Sequence, residues 1–483
     1  MDIKDLIQRA EAGEDVTATL SQKSITLPTW DELEKEYDVS KHPVMNRTEY
    51  PDIPVYEERL SDTEVDVDGN PRKVKVQVDT EKVSRVTYDL NRLAVKRTVE
   101  LCFGIPVRRV YRPAENNDKQ KQIAKYLEAI FRRNRIDSLN IERGTKLFAS
   151  CEVITLWYAT EDPNNFYGFD SKLKFRCVTY SPMQGDRLYP LFDETGDLVA
   201  LSIAYTRKVE EQEVSYFDTY TAEKHFRWEG AVGGERTLKI NEGIAIGKIP
   251  ALYICRPEAA WGKEAGLVFE MEWAVSRNGN YLRKNGRPIL AAFVDEQIKF
   301  GESPGPNRAA RDIVQYPKGS SLQYVTWTQA IDNLKYYVDE LKRTYFSNLQ
   351  LPDLSYENMK TAPMSGEARK QLFIDCQLKV KDESGRWLEM FDREVNVVKA
   401  FLKRALPEEW SKDIDALVVE SVITPFTITD EKDTINNLMT KNGGKALASQ
   451  RETIEEYGQS ADVDKTLQQI QAENMVDAME LSM

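Results

Sequence analysis

Thr328-Gln329-Ala330-Ile331-Asp332-Asn333-Leu334-Lys335-Tyr336-Tyr337-Val338-Asp339-Glu340-Leu341-Lys342-Arg343-Thr344-Tyr345 decides how the rest of this 483-residue sequence is read. Ile331, Leu334, Val338, Leu341 and Tyr345 recur at a 3-4-3-4 spacing, so one apolar stripe runs along a helix predicted over 328–348. The opposite side alternates in charge through Asp332, Lys335, Asp339, Lys342 and Arg343, which reads as a solvated face. A second helix, predicted over 263–284, lies upstream and carries Leu267, Met271, Ala274, Val275 and Leu282, with Phe269, Trp273 and Tyr281 off that stripe. Apolar residues on more than one face predict a helix buried between neighbours. Asn285-Gly286-Arg287-Pro288 stops it, and a strand-rich insert broken by Ser303-Pro304-Gly305-Pro306 fills the sequence between the two helices.

Working toward the N-terminus, the signal is that of strands from Cys151 to Pro250, with turns at Asp193-Glu194-Thr195-Gly196 and Gly230–Glu235. Helices are predicted over Val86–Cys102, Asp118–Arg133 and Asn140–Ser150. In the first 84 residues, Thr29 and Glu32 have capping-box spacing, and alternating valines around Asp68-Gly69 predict a β-hairpin. Toward the C-terminus, a loop containing Pro352 and Pro363 precedes a helical stretch from Ser365 to about Leu406, with a bend predicted at Ser384-Gly385. A strand follows over 418–428. The last 54 residues read as helices punctuated by Asp430, Asn442-Gly443-Gly444, the capping box Ser449–Glu452, Gly458 and Asp462. The fold class is α+β.

Composition narrows the function. Sixty-six Lys and Arg against 79 Asp and Glu give a net charge of −13, which excludes binding of nucleic acid by bulk positive charge. The longest unbroken apolar run, Ile289–Val294, is far short of the ~20 residues of a spanning helix. The N-terminus lacks the layout of a secretion signal. Five scattered cysteines without C-x-x-C spacing read as reduced thiols. With only His42 and His225, multi-histidine metal sites and Ser/His/Asp catalysis lose their material, and His225 reads as a strand residue. Gly243-Ile244-Ala245-Ile246-Gly247-Lys248 has three residues between its glycines where a phosphate loop needs four, and lacks Ser or Thr after Lys248. It is expected to be a strand bounded by glycines. No cofactor or metal is expected.

The order of these parts resembles the portal (head-to-tail connector) proteins of tailed bacteriophages, of the siphophage-like type. The matching stretches are Asn91-Arg92 through Gly104-Ile105-Pro106-Val107, Tyr180-Ser181-Pro182 through Ala204-Tyr205, and Ile249-Pro250-Ala251-Leu252-Tyr253 before a long helix. Further on they are Arg287-Pro288-Ile289-Leu290, Gly319–Trp327, Met364-Ser365-Gly366-Glu367-Ala368 and Gly443–Glu473. Together they span residues 85–475. The resemblance implies a portal fold: a wing of helices and antiparallel strands over 85–262 and 366–428, with stem helices over 263–284 and 328–348. It also implies a small α/β clip over 285–327, a tunnel loop over 349–365 leading into a long kinked helix, and a helical crown over 429–483. Residues 1–84 match poorly and receive no role.

The resemblance further implies a non-enzymatic ring of twelve subunits at the unique capsid vertex. Double-stranded DNA would pass through it during packaging and ejection, powered by a terminase. Partners would be the terminase large subunit, then a neck adaptor, the major capsid protein and a scaffold, with no membrane. Assembly would occur in the host bacterial cytoplasm, and the product would reside in the virion. Twelve helices ~10 Å apart leave a bore of ~28 Å, wide enough for a duplex roughly 20 Å across. Candidate DNA contacts are Lys335, Lys342 and Arg343 on the helix and Asn358, Lys360 and Thr361 in the loop. Candidate docking residues in the clip are Lys299, Arg308, Arg311 and Lys318. Lys335 and Arg343 read equally as partners in helix-to-helix salt bridges. Two other readings stand beside this one: a different ring or adaptor protein of the phage connector, and a metal-dependent nuclease using Asp66/Asp68 or Asp193/Asp197.

Overall fold

The computed structural model describes residues 3–23, 25–65, 71–285, 289–293, 321–325, 331–353, 373–426, 431–443, 446–458, 460 and 463–480. The architecture is α+β with antiparallel pairing in every sheet. Helices in the N-terminal third are α1 (Ile3–Glu11), α2 (Thr17–Leu20), α3 (Trp30–Tyr37), α4 (Leu90–Phe103), α5 (Asp118–Arg133) and α6 (Ile136–Ser150). The strands there are β1 (Ile53–Val65), β2 (Pro71–Glu81) and β3 (Arg108–Arg112). The central strands are β4 (Glu152–Asn164), β5 (Ser171–Tyr180), β6 (Arg187–Phe192), β7 (Leu198–Val209), β8 (Gln212–Thr221), β9 (Lys224–Ala231), β10 (Arg236–Gly243) and β11 (Ala251–Cys255). They are followed by α7 (Ala265–Asn285), β12 (Ile289–Phe293), β13 (Ser321–Val325), α8 (Ile331–Asn348), α9 (Ile374–Ala405), α10 (Ser411–Ala416) and β14 (Val418–Val422). Three helices close the chain: α11 (Glu431–Asn442), α12 (Gln450–Tyr457) and α13 (Val463–Glu480).

The chain divides into two compact units, one of residues 1–27, 96–257 and 350–483, the other of residues 28–95 and 258–349. In the first, a five-stranded meander (order β10-β9-β8-β7-β6) faces a three-stranded sheet (β11-β4-β5). Side chains alternate across the meander, as a strand's two-residue period requires. Leu201, Ile203, Tyr205 and Tyr220 enter the core shared with Ile154, Leu156 and Tyr253. Phe217, Phe226 and Trp228 face the other way and are covered by Leu6, Ala10, Val16 and Leu20. Residues 3–23, which the sequence left without a role, are thus the lid on the outer face of this sheet. Lys23 fastens to Glu152 at 2.6 Å and Lys224 to Glu11 at 3.1 Å.

Helix α9 crosses the same unit with Trp387, Phe391, Val395, Val398 and Leu402 buried. It also buries a carboxylate. Glu394 receives Arg143 Nη1 at 2.8 Å, Arg143 Nη2 at 3.1 Å, Trp157 Nε1 at 3.2 Å and Arg109 Nη2 at 3.5 Å. β3, α6, β4 and α9 are tied together at one point. Burial opposes the charge of Glu394, but the two guanidiniums outweigh it and hold the carboxyl below its ordinary range. Ser384-Gly385, where the bend is predicted, lies inside α9, and the helix is continuous through it.

The stretch 243–248 corrects the sequence reading. Gly243 is the last residue of β10, and the residues after it form a turn rather than a strand. Gly247 N–H donates to the Ile244 carbonyl at 3.3 Å and adopts φ +60°, a left-handed conformation that ends strand geometry and that glycine accepts freely. Other boundaries agree closely. α5 spans the predicted residues, and the Ser449–Glu452 capping box is formed. Gly458 ends α12 in the left-handed region at φ +72°. β1 and β2 pair as the predicted hairpin. His225 lies in β9 and stacks on Tyr220 with ring centres 4.4 Å apart. Asp430, Asp462 and the kinked-helix opening at 365–372 lie outside the described residues.

Candidate functional site

The second unit is organised around the packed pair α7 and α8. Tyr337 donates to Glu270 of α7 at 3.2 Å, and Asn348 to Glu264, the residue before α7, at 3.1 Å. Tyr345, the last residue of the α8 stripe, is buried and donates to Asn91 at 2.9 Å. Leu334, Val338 and Leu341 are only half-buried. The solvent side of α8 presents Lys335, Tyr336 and Arg343, with Tyr336 71% exposed. Between Ile331 and Arg343 there are three acids and three bases, so this surface is neutral and mixed rather than cationic.

Of the predicted contact residues, Lys335, Lys342 and Arg343 fall on this helix. Within one chain, and among the described residues, Arg343 forms its ion pair within its own helix. It grips Glu340 one turn back, with Nε donating at 3.1 Å and Nη2 at 2.7 Å. The hydrogen bonds and charge of that pair raise the pKa of Arg343 and lower that of Glu340. Lys335 is exposed and has no ion pair among the described residues; Lys342 is half-buried. Seven residues apart, the two lysines share one face. Asn358, Lys360 and Thr361, like Lys299, Arg308, Arg311 and Lys318, lie outside the described residues. At the far end of the two helices, β12 and β13 pair antiparallel from Ile289↔Val325 to Phe293↔Ser321.

Sequence reading missed how α7 is held. It is not apolar all round: Leu282 is 50% exposed, whereas Glu272 and Ser276 are fully buried. Glu272, Ser276 and Asn280, spaced four apart, form a polar ladder on one face. Tyr88 N–H donates to Glu272 at 2.7 Å, Val86 N–H to Ser276 at 2.9 Å, and Ser84 N–H to Asn280. Arg283 donates to the Lys82 carbonyl at 3.3 Å. The intervening residues of this connector face elsewhere, with Val83 N–H and the Arg85 guanidinium on Asp52 at 3.1 and 2.9 Å. The signal available in the sequence was three polar residues at helical spacing within an apolar segment.

His42 completes the ladder. Its Nδ1 lies 2.7 Å from Glu272 Oε1 and its Nε2 lies 3.1 Å from the Glu36 carbonyl, so both ring nitrogens face acceptors, the arrangement of an imidazolium. Burial works against that charge. The bond and charge of Glu272, with the Glu36 carbonyl and Asp89, outweigh it and raise the pKa of His42. Asp193, offered by the nuclease reading, is occupied in its turn, accepting from Thr195 N–H at 2.9 Å, Thr195 Oγ1 at 2.7 Å and Asp197 N–H at 2.8 Å. Asp66 and Asp68 lie outside the described residues. Among the described residues no group of three or more His, Cys, Asp or Glu is placed to hold a metal, and no helix is long and apolar enough to cross a membrane.

With this geometry in view, comparison with known proteins identifies a family. Residues 21–478 match the family described as phage portal protein, SPP1 Gp6-like. The chain therefore belongs to the phage portal protein family. No match was found among curated proteins. Similar solved structures include a chain from the neck of an empty gene transfer agent particle (11% identity, TM-score 0.41, covering 76% of this chain and 88% of that one). Another is from the virion of a native gene transfer agent particle (10% identity, TM-score 0.40, covering 92% of this chain and 98% of that one).

Proposed function

We propose that this protein is the portal of a tailed-phage particle: a ring of twelve copies at one capsid vertex that conducts double-stranded DNA inward during packaging and outward during ejection. The observation that carries the reading is the family match over nearly the whole chain, residues 21–478. In this reading α7 and α8 are the stem, residues 285–327 the clip, 349–365 the tunnel loop, and 429–483 the crown. Residues 85–262 and 366–428 form the wing. The clip, through Lys299, Arg308, Arg311 and Lys318, docks the terminase large subunit and later the neck adaptor. Major capsid protein and scaffold surround the wing. The protein itself is structural, assembles in the bacterial cytoplasm and ends in the virion.

The charge of α8 supports a conduit. A duplex held by many phosphate contacts would be retained by counterion release. A neutral, mixed wall with Lys335, Lys342 and Arg343 at intervals, and Asn358, Lys360 and Thr361 in the loop, touches the backbone without gripping it. The test is mass photometry with negative-stain imaging of the purified protein. Twelve copies of 55.5 kDa give roughly 670 kDa and a ring with a central hole. A stable monomer or dimer across salt conditions would overturn the reading.

A further inference from the structure

The turn after β10 and the C-terminal half of α9 enclose a pocket of about 220 Å³, within the first unit. Its walls are Ala245, Ile246 and Lys248 of the turn, and Asn396, Lys399, Lys403 and Arg404 of α9, with Asp415 beside them. Residues 396, 399, 403 and 404 share one face of the helix. Four cationic side chains therefore meet one carboxylate, in a protein whose net charge is −13. That carboxylate is already engaged: Asp415 pairs with Lys403 at 2.5 Å.

Lys399 is the informative member. Its side chain is more than nine-tenths buried, and its ammonium donates to the Leu417 carbonyl at 2.5 Å, a neutral partner. Among the described residues it has no ion pair, nor do Lys248 and Arg404. A buried cation held only by a carbonyl is costly unless a counter-charge is supplied. Burial lowers the pKa of Lys399 and the neighbouring charges of Lys248 and Lys403 lower it further, against the pull of Asp415. The cluster repels itself. The turn adds two more donors, since the N–H groups of Ala245 and Ile246 have no partner among the described residues. The stretch that fails as a phosphate loop by its spacing thus forms one wall of a cationic pocket.

We propose that this pocket is a binding site for a phosphate group, with Lys399 at its floor, Lys248 and Arg404 at its mouth, and Asn396 as a neutral donor. About 220 Å³ holds several waters or one tetrahedral oxyanion with part of its hydration. Two sources carry the same chemistry, free phosphate and the backbone of a nucleic acid. The site stands apart from the ring reading, since it needs neither ring nor channel.

The experiment is calorimetric titration of the full-length protein with inorganic phosphate and, separately, pyrophosphate. The same titrations are run on Lys248→Gln/Arg404→Gln, which changes only the exposed members. The pocket predicts saturable binding that weakens at least about tenfold in the double variant. It also predicts tightening in Asp415→Asn, which removes the competing carboxylate. A labelled short duplex distinguishes the sources. Duplex binding lost in the double variant and displaced by pyrophosphate assigns nucleic acid; phosphate binding without duplex binding assigns the free ion. No saturable phosphate binding by the unaltered protein, or equal binding by the double variant, overturns the site.

Discussion

Two buried carboxylates, Glu394 in the first unit and Glu272 in the second, solve the same problem with different partners. Glu394 has donors on both oxygens, and its counter-charges are arginines, which stay charged at any pH a protein survives. Glu272 concentrates its bonds on one oxygen, shared by His42 and the Tyr88 N–H, while Oε2 is buried without a partner. Its counter-charge is an imidazole, which titrates near neutrality. The first arrangement is fixed; the second depends on a proton. Burial is equally complete in both, so the partner's chemistry and not its depth sets the difference.

The comparison breaks most visibly at Glu394. Glu394→Ala strands two buried guanidiniums and is expected to cost about 3–5 kcal/mol in chemical denaturation. Because the Glu394 carboxyl titrates below its ordinary range, its stabilisation is present above the unfolded carboxylate pKa and is lost only as pH falls through the folded value. The penalty of the variant is therefore the same at pH 6 and pH 8. A smaller loss follows from Glu272→Ala, roughly 1.5–3 kcal/mol, because His42 can shed its proton where an arginine cannot. Equal losses for the two variants would remove the distinction.

Titration sharpens it. The raised pKa of His42 means that its contribution is fully present below the unfolded histidine pKa and is lost as pH rises through the folded value. Amide exchange at Val86 and Tyr88, corrected for intrinsic rate, is expected to speed up across that window. His42→Gln is expected to abolish the pH dependence, and protection that ignores pH in the native protein would show the pair to be inert. The smallest effect is a single rung: Ser276→Ala removes one bond to the connector, worth about 1 kcal/mol, and exposes the Val86 amide to faster exchange.

The sequence makes periodic segments legible and leaves partnerships across long separations hidden. α5 follows from Ile123, Leu127 and Ile130 because a helix face repeats locally. The α12 caps follow from Ser449, Glu452 and Gly458 for the same reason. The Arg143–Glu394 pair joins residues 251 positions apart, and no local pattern marks it. The lid formed by residues 3–23 was invisible because a nine-residue helix such as α1 has meaning only against the sheet it covers. Gly243–Lys248 was misread because its apolar residues suggest a strand, while the left-handed Gly247 dictates a turn. At the candidate site, local periodicity puts Lys335 and Arg343 on a helix, and the intrachain partner of Arg343, Glu340, lies only three residues away.

The polar ladder of α7 also behaves as a vernier. Four helical residues advance about 6.0 Å, and two residues of extended chain about 6.6 Å, so the two scales slip by roughly 0.6 Å at every step. Such a ladder holds register for only a few rungs. Its last member takes a three-residue step, from Asn280 to Arg283, and reaches the Lys82 carbonyl with a long side chain. The attachment therefore carries its own length limit: the connector meets the helix only from Lys82 onward, directly after the β-hairpin ends at Glu81.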